Sequence, residues 1–452
     1  MSFVERLLRA DPPHPTVTDK KEIARRYFYW RIRVFYSMYI GYALFYFTRK
    51  SFAFSMPLLS SELGFSASQL GFLGSLLSFS YGFSKLVGGV LSDRINLRYF
   101  MGAGLFMTGL CNIFFGLSSS LLFFGIFMTC NGFFQGWGSP PCARLLTCWY
   151  SQKERGRWWG VWNTSHNLGG AIIPLICVGL GKAFGWQYGM HAAGLLAMIF
   201  GLFLINRLRD TPRTVGLPPI EEHKKEVASE EVRSGSDRKS AITKETPNAL
   251  FKKYVLKNKF IWILGIAYFF VYIVRTAIND WTLMYLIRVK DFSMLSAGMC
   301  IFWFEIGGLF GSLSAGWMSD TLFRGKRGPV NALFTLGVVG VLFALWIAST
   351  PSVPLFSLII FTIGFLIFGP QMLIGMAAAE LAGKRVSGAA TGFVGFFAYA
   401  GATVAGYPVG RMIDLYGWSK GLFVPLALSG LVAVAFLFPL WNRKPGRAAR
   451  MS

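Results

Sequence analysis

Twelve separate stretches of this chain are apolar over roughly the ~20 residues that a helix needs to cross the hydrocarbon core of a bilayer. They fall at about 30–57, 67–92, 98–117, 121–147, 158–182, 188–206, 258–286, 294–318, 330–349, 354–379, 386–413 and 419–441. The fifth and eleventh are the least sharply bounded, because glycine and polar residues interrupt them. Few folds are open to such a chain. Backbone polar groups in lipid must be satisfied within the crossing segment, so each run predicts a helix. The fold class is therefore an all-α polytopic membrane protein. Composition agrees, since only 15% of the 452 residues are charged, where soluble domains run near a quarter.

The formal net charge of +24 invites a nucleic-acid reading, and its placement argues against one. Basic residues gather before the first run (Lys20, Lys21, Arg25, Arg26, Arg31, Arg33), around Arg94 and Arg98, and at Lys153, Arg155 and Arg157. They recur from Arg207 to Lys259, at Arg324, Lys326 and Arg327, at Lys384 and Arg385, and in the tail Arg443 to Arg450. The alternate connections carry few. Every second loop is basic, so the positive-inside rule places both termini and the long central loop in the cytoplasm. The charge serves topology and meets anionic membrane lipid. No aromatic-plus-basic nucleic-acid module accompanies it. The first thirty residues lack the short apolar core of a secretory signal, which leaves the first helix as an uncleaved insertion signal. Cys111, Cys130, Cys142, Cys148, Cys177 and Cys300 lie in or beside apolar runs without metal-ligand spacing, and read as small buried hydrophobes with no metal.

The longest polar stretch, from Arg207 to Thr246, is charged, mixed in sign and nearly free of aromatics, a linker composition. It divides the chain into a cytoplasmic segment 1–29, a six-helix bundle 30–207, a linker 208–257, a second six-helix bundle 258–441 and a tail 442–452. Residues 248–257, NALFKKYVLK, suit a short amphipathic helix at the membrane surface. The two bundles repeat one another. Tyr42, Tyr46 and Arg49 in GYALFYFTR recur 226 positions later as Tyr268, Tyr272 and Arg275 in AYFFVYIVR. Asp93 in GVLSDRINLR and Asp320 in GWMSDTLFRGKR are offset by 227. Two matches at nearly one offset indicate duplication, and parallel six-helix repeats are a transporter architecture. The Gly-x-x-Ser-Asp element, with Asp93, Arg94 and Asp320, is similar to the loop signature of the major facilitator superfamily. Its carboxylates can cap helices or pair with arginines, or be plain turn residues.

Charges within the apolar runs are the functional signal, because a charge near the bilayer centre costs roughly 2.5–3.5 kcal/mol on insertion scales and normally lines a cavity or is paired. The chain carries Arg49, Lys50, Lys85, Arg144, His166, Arg275, Asp280 and Glu305 inside them, with Glu380 and Arg411 near helix ends. Arg49 and Arg275 are repeat mates, so each presents a guanidinium from an opposite half to one central cavity. Two planar forks suit a tetrahedral dianion such as phosphate, which would supply the charge that lets the halves close. Snorkelling to the surface is the alternative for both. Lys50, about 100° round the helix from Arg49, is matched instead to Asp280 or Glu305 as a gating salt bridge between halves. Lys85 either joins the anion site or snorkels. His166 joins the site or is a hydrogen-bonded packing residue; Asn163 and Asn167 share one face beside it. Arg144 reads as structural. Tyr42, Tyr46, Tyr81, Tyr268, Tyr272 and Tyr399 can offer hydroxyls to a ligand or simply pack. Glycines at small-xxx-small spacing (Gly307 and Gly311, Gly406 and Gly410) mark helix packing.

At this level of detail the chain resembles the organophosphate:phosphate antiporters of the major facilitator superfamily. The segments carrying the resemblance are GYALFYFTRKSF, SYGFSKLVGGVLSDR, GFFQGWGSPPCARLL, WYSQKERG, VWNTSHNLGG, YIVRTAINDW, FGPQMLIG and GAATGFVGFFAY, spread over almost the whole chain. Within the family, RYFMGAGL, GWGSPPCARLLT and GPQMLIGMAAAE are most similar to the branch containing the sensor of external glucose 6-phosphate. The resemblance implies twelve helices in two pseudo-symmetric halves, with Arg49 and Arg275 on the phosphoryl group and Lys85 and His166 nearby. It implies Tyr42, Tyr46, Tyr81, Tyr272 and Tyr399 as lining residues, and Lys50, Asp280 and Glu305 as inter-half salt-bridge positions; Trp162, Asn163 and Asn167, beside His166 in VWNTSHNLGG, are further lining candidates from their place in the sequence. Thr391 and Val394 stand where the induced hexose-phosphate antiporters carry an aspartate and a lysine, which leans toward the sensor-like branch.

The function expected is exchange of a hexose phosphate, foremost glucose 6-phosphate, for inorganic phosphate across the bacterial inner membrane, by a monomer with no cofactor. No Walker-type loop is present. The alternative is a receptor with the same site, signalling to a membrane histidine kinase. An enzyme would need a nucleophile–base or metal constellation at a bilayer face, and the sequence offers none.

Overall fold

The computed structural model describes residues 14–15, 17–91, 95–224, 251–348, 352–382 and 386–442. Asp93, Arg94, Lys384, Arg385, most of the linker and the basic tail lie outside the described residues. Among the described residues the chain is helical, and its long helices follow the apolar runs. The first half comprises α1 (Lys20–Leu63), α2 (Ala67–Leu91), α3 (Leu97–Gly116), α4 (Leu121–Gln135), α5 (Ser139–Trp149), α6 (Gln152–Phe184) and α7 (Trp186–Arg207). The second comprises α8 (Lys259–Lys290), α9 (Met294–Thr321), α10 (Arg327–Ile347), α11 (Val353–Ala382), α12 (Ser387–Val404) and α13 (Tyr407–Leu437). Of the surface-helix expectation at 248–257, the described part is a single π-helical turn over Lys252–Leu256.

Two crossings differ from uninterrupted runs, for local reasons. The fourth is split between α4 and α5 where Gly136, Trp137 and Gly138 precede Pro140 and Pro141. Proline lacks the N–H that would bond back to the preceding turn, so a helix restarts there more readily than it continues. The eleventh breaks at Ala405 and Gly406 and resumes in α13. Inside α13 the chain then reverses at Gly417, whose φ of 76° and ψ of 167° favour a residue without Cβ. The last crossing runs on to Leu437. Among the described residues twelve crossings result, six in each half.

Eight described segments are long and apolar enough to cross a membrane by length and composition, and the last, Ala389–Leu440, holds two crossings. The remaining crossings are α1, α2 and α4 with α5. The first two carry Tyr46, Arg49, Lys50, Tyr81 and Lys85 among their apolar residues, and α4 alone is only 15 residues long. At 44 residues and 1.5 Å per residue, α1 is about 66 Å long and projects well beyond the bilayer at its N-terminal end. There Asp19 caps it by accepting from Lys21 N at 3.0 Å.

The halves meet on the side away from the termini. Asp414 of α13 accepts from Ala67 N (3.1 Å) and Ser68 N (2.8 Å), capping α2 from the opposite half. Ser75 Oγ donates to Thr403 O at 2.6 Å and accepts from Tyr407 N at 2.8 Å. Gly71 and Gly406 bring α2 against the α12–α13 break so closely that a Cβ on Gly71 would collide with the Gly406 carbonyl. Arg288 donates to Ser60 Oγ at 3.2 Å. Nearer the termini, Gly392 and Gly395 share a face of α12 with Tyr399, yet a Cβ on either would meet nothing within 4 Å. The interface is thus sealed on the distal side and parts toward the terminal side.

Candidate functional site

At mid-depth between the halves, six helices bring their polar residues together. Arg49 Cζ lies over the rings of Tyr46 (4.4 Å) and Tyr81 (4.3 Å). Tyr81 meets Tyr399 edge-on at 4.5 Å, and Tyr399 meets Tyr272 at 5.7 Å. Arg275 Cζ lies 5.5 Å from the Tyr272 ring and 4.9 Å from Phe368. Phe368 stacks on His166 at 5.8 Å, and His166 faces Tyr46 at 5.4 Å. These contacts close a circuit. Its members come from α1, α2 and α6 of one half and α8, α11 and α12 of the other. It crosses the interface twice, at Tyr81–Tyr399 and at His166–Phe368.

The circuit frames a cavity whose lining includes Tyr46, Arg49, Lys50, Tyr81, Tyr272, Arg275, Asp280 and Tyr399, with Ser78 and Thr276 adding hydroxyls. Lys85 reaches toward it from α2, its Nζ 5.1 Å from the Tyr399 ring and 5.9 Å from that of Tyr81. Aromatic faces attract cations without neutralising them. They hold the guanidiniums in place while leaving N–H groups for a ligand. Arg275 is only 8% exposed, and its Nε and Nη2 have no hydrogen-bond partner among the described residues. His166 Nε2 is likewise buried and unpartnered. The buried N–H groups of Arg275 are costly without acceptors, and an anion would satisfy them.

Two acidic residues stand in the same layer. Lys50 Nζ lies 3.7 Å from Asp280 Oδ1, an ion pair between α1 and α8. Glu305 is 1% exposed and accepts from Asn167 Nδ2 at 3.1 Å, a second contact between the halves. Of the two partners offered to Lys50 by the sequence, Asp280 makes the ion pair and Glu305 takes the amide. The rotation of about 100° between adjacent helical residues does not separate Lys50 from Arg49: both line the cavity, as does Asp280, whose Oδ1 Lys50 Nζ approaches.

The structure separates the remaining candidates. Tyr42 packs on Trp162 at 4.9 Å and on Tyr46 at 5.8 Å, behind the circuit. Trp162 is buried and Asn163 half-buried on α6. Tyr268 donates to Gln371 O at 2.6 Å and packs on Tyr272. Asp320 pairs with Arg327, which also reaches Glu380 at 2.9 Å and Ser319 Oγ at 2.9 Å. That network ties α9, α10 and α11 at the terminal face, far from the cavity. Arg31 of α1 bridges similarly to Glu154 of α6 at 2.7 Å. Burial opposes ionisation of Glu154, yet the hydrogen bond and charge of Arg31 hold its carboxyl below the ordinary value.

Sequence reasoning missed Phe368 and Gln135. Phe368 is one of 44 phenylalanines and nothing local marks it. Gln135 carried a signal, a lone glutamine in an apolar run, and it accepts from Arg49 Nε (3.2 Å) and Nη2 (3.1 Å).

Two six-helix halves around a central cationic cavity, sealed on one side and parted on the other, define a multi-pass membrane protein of the secondary-transporter class. The chain belongs to the Major Facilitator Superfamily, whose model matches residues 38–406. It is 51% identical over 431 residues to a probable hexose phosphate transport protein of Chlamydia pneumoniae, with 94% of each chain covered. It is 46% identical to the membrane sensor protein UhpC of Escherichia coli (98% of this chain, 99% of the relative). It is 38% identical to a glycerol-3-phosphate transporter of Bacillus subtilis (95% and 96%). Among solved structures, a bacterial homologue of the human lysosomal transporter Spinster, in an inward-facing and occupied conformation, matches with a TM-score of 0.71 at 15% identity, covering 91% of this chain and 97% of that one. That likeness supports the fold alone.

Proposed function

We propose that the chain exchanges a hexose phosphate, glucose 6-phosphate foremost, for inorganic phosphate across the bacterial inner membrane by alternating access. The observation that carries this reading is the aromatic circuit holding Arg49 from one half and Arg275 from the other around one cavity. A tetrahedral dianion between two guanidiniums relieves their repulsion and accepts their free N–H groups. Because the cations belong to different halves, the bound anion draws those halves together. Without it, like charges oppose closure. An obligatory exchange follows, since the empty carrier isomerises poorly and the phosphate-loaded one readily. Lys50–Asp280 and Asn167–Glu305 are then gates that break and re-form with each cycle. The basic loops support cytoplasmic termini, and on this reading the parted side faces inward. The names of the relatives at 51% and 46% identity support the substrate class.

Exchange of labelled phosphate in proteoliposomes tests this. Arg49→Lys and Arg275→Lys keep the charge but lose the planar fork, and each should lower exchange at least tenfold while the melting temperature holds. Wild-type exchange in both would remove the site from the mechanism.

A second reading is favoured by the 46% identity to a membrane sensor: the same cavity binds external glucose 6-phosphate and the closure is read by a membrane histidine kinase. Binding without sustained exchange would select it.

A further inference from the structure

Arg49 and Arg275 are repeat mates, but they are not held alike. Gln135 is wholly buried at the end of α4, where the helix breaks. Its amide nitrogen donates toward Thr48 Oγ1 (2.9 Å), Phe45 O (3.1 Å) and Asn131 Oδ1 (3.2 Å). Those contacts consume its N–H groups and fix which way its carbonyl oxygen points. That oxygen takes two hydrogen bonds from Arg49, through Nε and Nη2. The same stretch of α1 is tied down by three more hydrogen bonds. Asn131 and Asn112 both donate to Thr48 O, at 2.9 and 3.0 Å, and Ser51 Oγ donates to Asn112 Oδ1 at 2.6 Å. A buried amide network spanning α1, α3 and α4 thus ends on one cavity-lining cation. Arg275 has no comparable support among the described residues. Its Nε and Nη2 are unpartnered, and it rests against the rings of Tyr272 and Phe368.

The chemistry of the partner matters. A carboxylate at position 135 would orient Arg49 equally well but would cancel its charge. An amide carbonyl orients it and leaves the charge intact. A guanidinium has five N–H groups. Gln135 occupies one on Nε and one on Nη2, which leaves both on Nη1 and the second on Nη2. One N–H from each Nη then forms the end-on fork that grips two oxygens of a phosphoryl group.

We propose that Gln135 is a positioning residue that presets Arg49 as the fixed half of the anion site, while Arg275 is the half that swings to meet the anion. The proposal rests on the phosphoryl-binding reading above. It places the first contact of the incoming anion on the N-terminal half and makes closure the movement of Arg275 onto an anion already seated.

Equilibrium binding of labelled inorganic phosphate and of glucose 6-phosphate to the purified full-length protein tests it, with Gln135→Leu, Gln135→Asn and Gln135→Glu compared by affinity, binding capacity and melting temperature. Q135L should raise Kd about tenfold, on the order expected for losing hydrogen bonds to a charged group. The factor should be the same for both ligands, because the phosphoryl group is what they share, and capacity per mole should be unchanged. Q135N, which keeps the amide one methylene short, should raise Kd less. Q135E should abolish binding while melting no lower than wild type, because its carboxylate takes the place of the anion. Wild-type Kd in Q135L, or reduced capacity at unchanged Kd in both Q135L and Q135N, would reduce Gln135 to a packing role and overturn the proposal. So would Q135E binding phosphate as wild type does. A wild-type protein that binds neither ligand would instead overturn the phosphoryl reading itself, a distinct failure seen before any variant is made.

Discussion

Gly71→Ala should open the distal side of this protein, and Gly74→Ala, one turn along the same helix, should not. In the closed arrangement a Cβ on Gly71 would lie 2.7 Å from the Gly406 carbonyl carbon and 3.1 Å from Trp281 Cζ2, while one on Gly74 would meet nothing within 4 Å. Ordinary contact begins at 3.4 Å and the carbonyl oxygen lies nearer than its carbon, so the two backbones must part by at least about 0.7 Å at a point where neither is a flexible side-chain end. Overpacking of this kind costs about 1–3 kcal/mol. It applies only while the distal side is closed, because opening carries α2 away from the α12–α13 break. The closed-to-open ratio should therefore fall by roughly 5–150-fold. Any gain from replacing glycine by alanine in a helix is common to both variants and cancels between them. Spin labels at Glu62 and Leu295, exposed on the distal ends of opposite halves, would report the distance distribution in nanodiscs. A long-distance population growing in Gly71→Ala and absent in Gly74→Ala is expected. Identical distributions in the two would refute the claim that close backbone approach across Gly71 and Gly406 seals that side.

The remaining expectations concern charge. Asp280→Asn leaves Lys50 beside Arg49 and Arg275 without its ion-pair partner, so phosphate binding should tighten several-fold while exchange slows, as read by equilibrium binding against vesicle flux. Swapping the pair, Lys50→Asp with Asp280→Lys, should restore part of the lost flux. Asp414→Ala removes both acceptors that cap α2 from the other half; losing a helix cap costs about 1 kcal/mol, and the same spin-label pair should show a modest shift toward the open form. Glu154→Ala removes a capping box and the ion pair to Arg31, which should lower stability by about 1–2 kcal/mol at neutral pH. The Glu154 carboxyl is held below its ordinary value, with burial opposing and Arg31 prevailing. Its contribution is therefore present above the ordinary carboxylate range and lost as pH falls through the lowered value, so the melting difference between wild type and Glu154→Ala should shrink in acid.

Much of this molecule is legible in its sequence, and the illegible part has a consistent physical cause. The twelve crossings are written as apolar runs, because the bilayer imposes one length and one composition on every helix. The pairing of Arg49 with Arg275 is legible through duplication, which preserves Tyr-x-x-x-Tyr-x-x-Arg in both halves. The break between α4 and α5 was written in GWGSPP, though a run of apolar residues conceals where a helix stops. Phe368 could not be singled out, because its role comes from lying between His166 and Arg275, and that is a relation between helices of opposite halves. Gln135, Asn131 and Asn112 were better marked, each an amide in an apolar segment, where a polar group persists only with a partner. The choice of Asp280 over Glu305 by Lys50, and the meeting of Gly71 with Gly406, depend on which side of the protein is closed. Those contacts belong to one conformation, and a linear pattern carries no record of it.

Exchange around two arginines is tested most directly by counterflow: purified protein in vesicles loaded with inorganic phosphate, given labelled glucose 6-phosphate outside, with ATP and ion gradients omitted. Rapid uptake that requires internal phosphate, and that disappears in Arg49→Lys and Arg275→Lys, is the expected result. Binding of glucose 6-phosphate without uptake, or uptake into phosphate-free vesicles at the same rate, would contradict it.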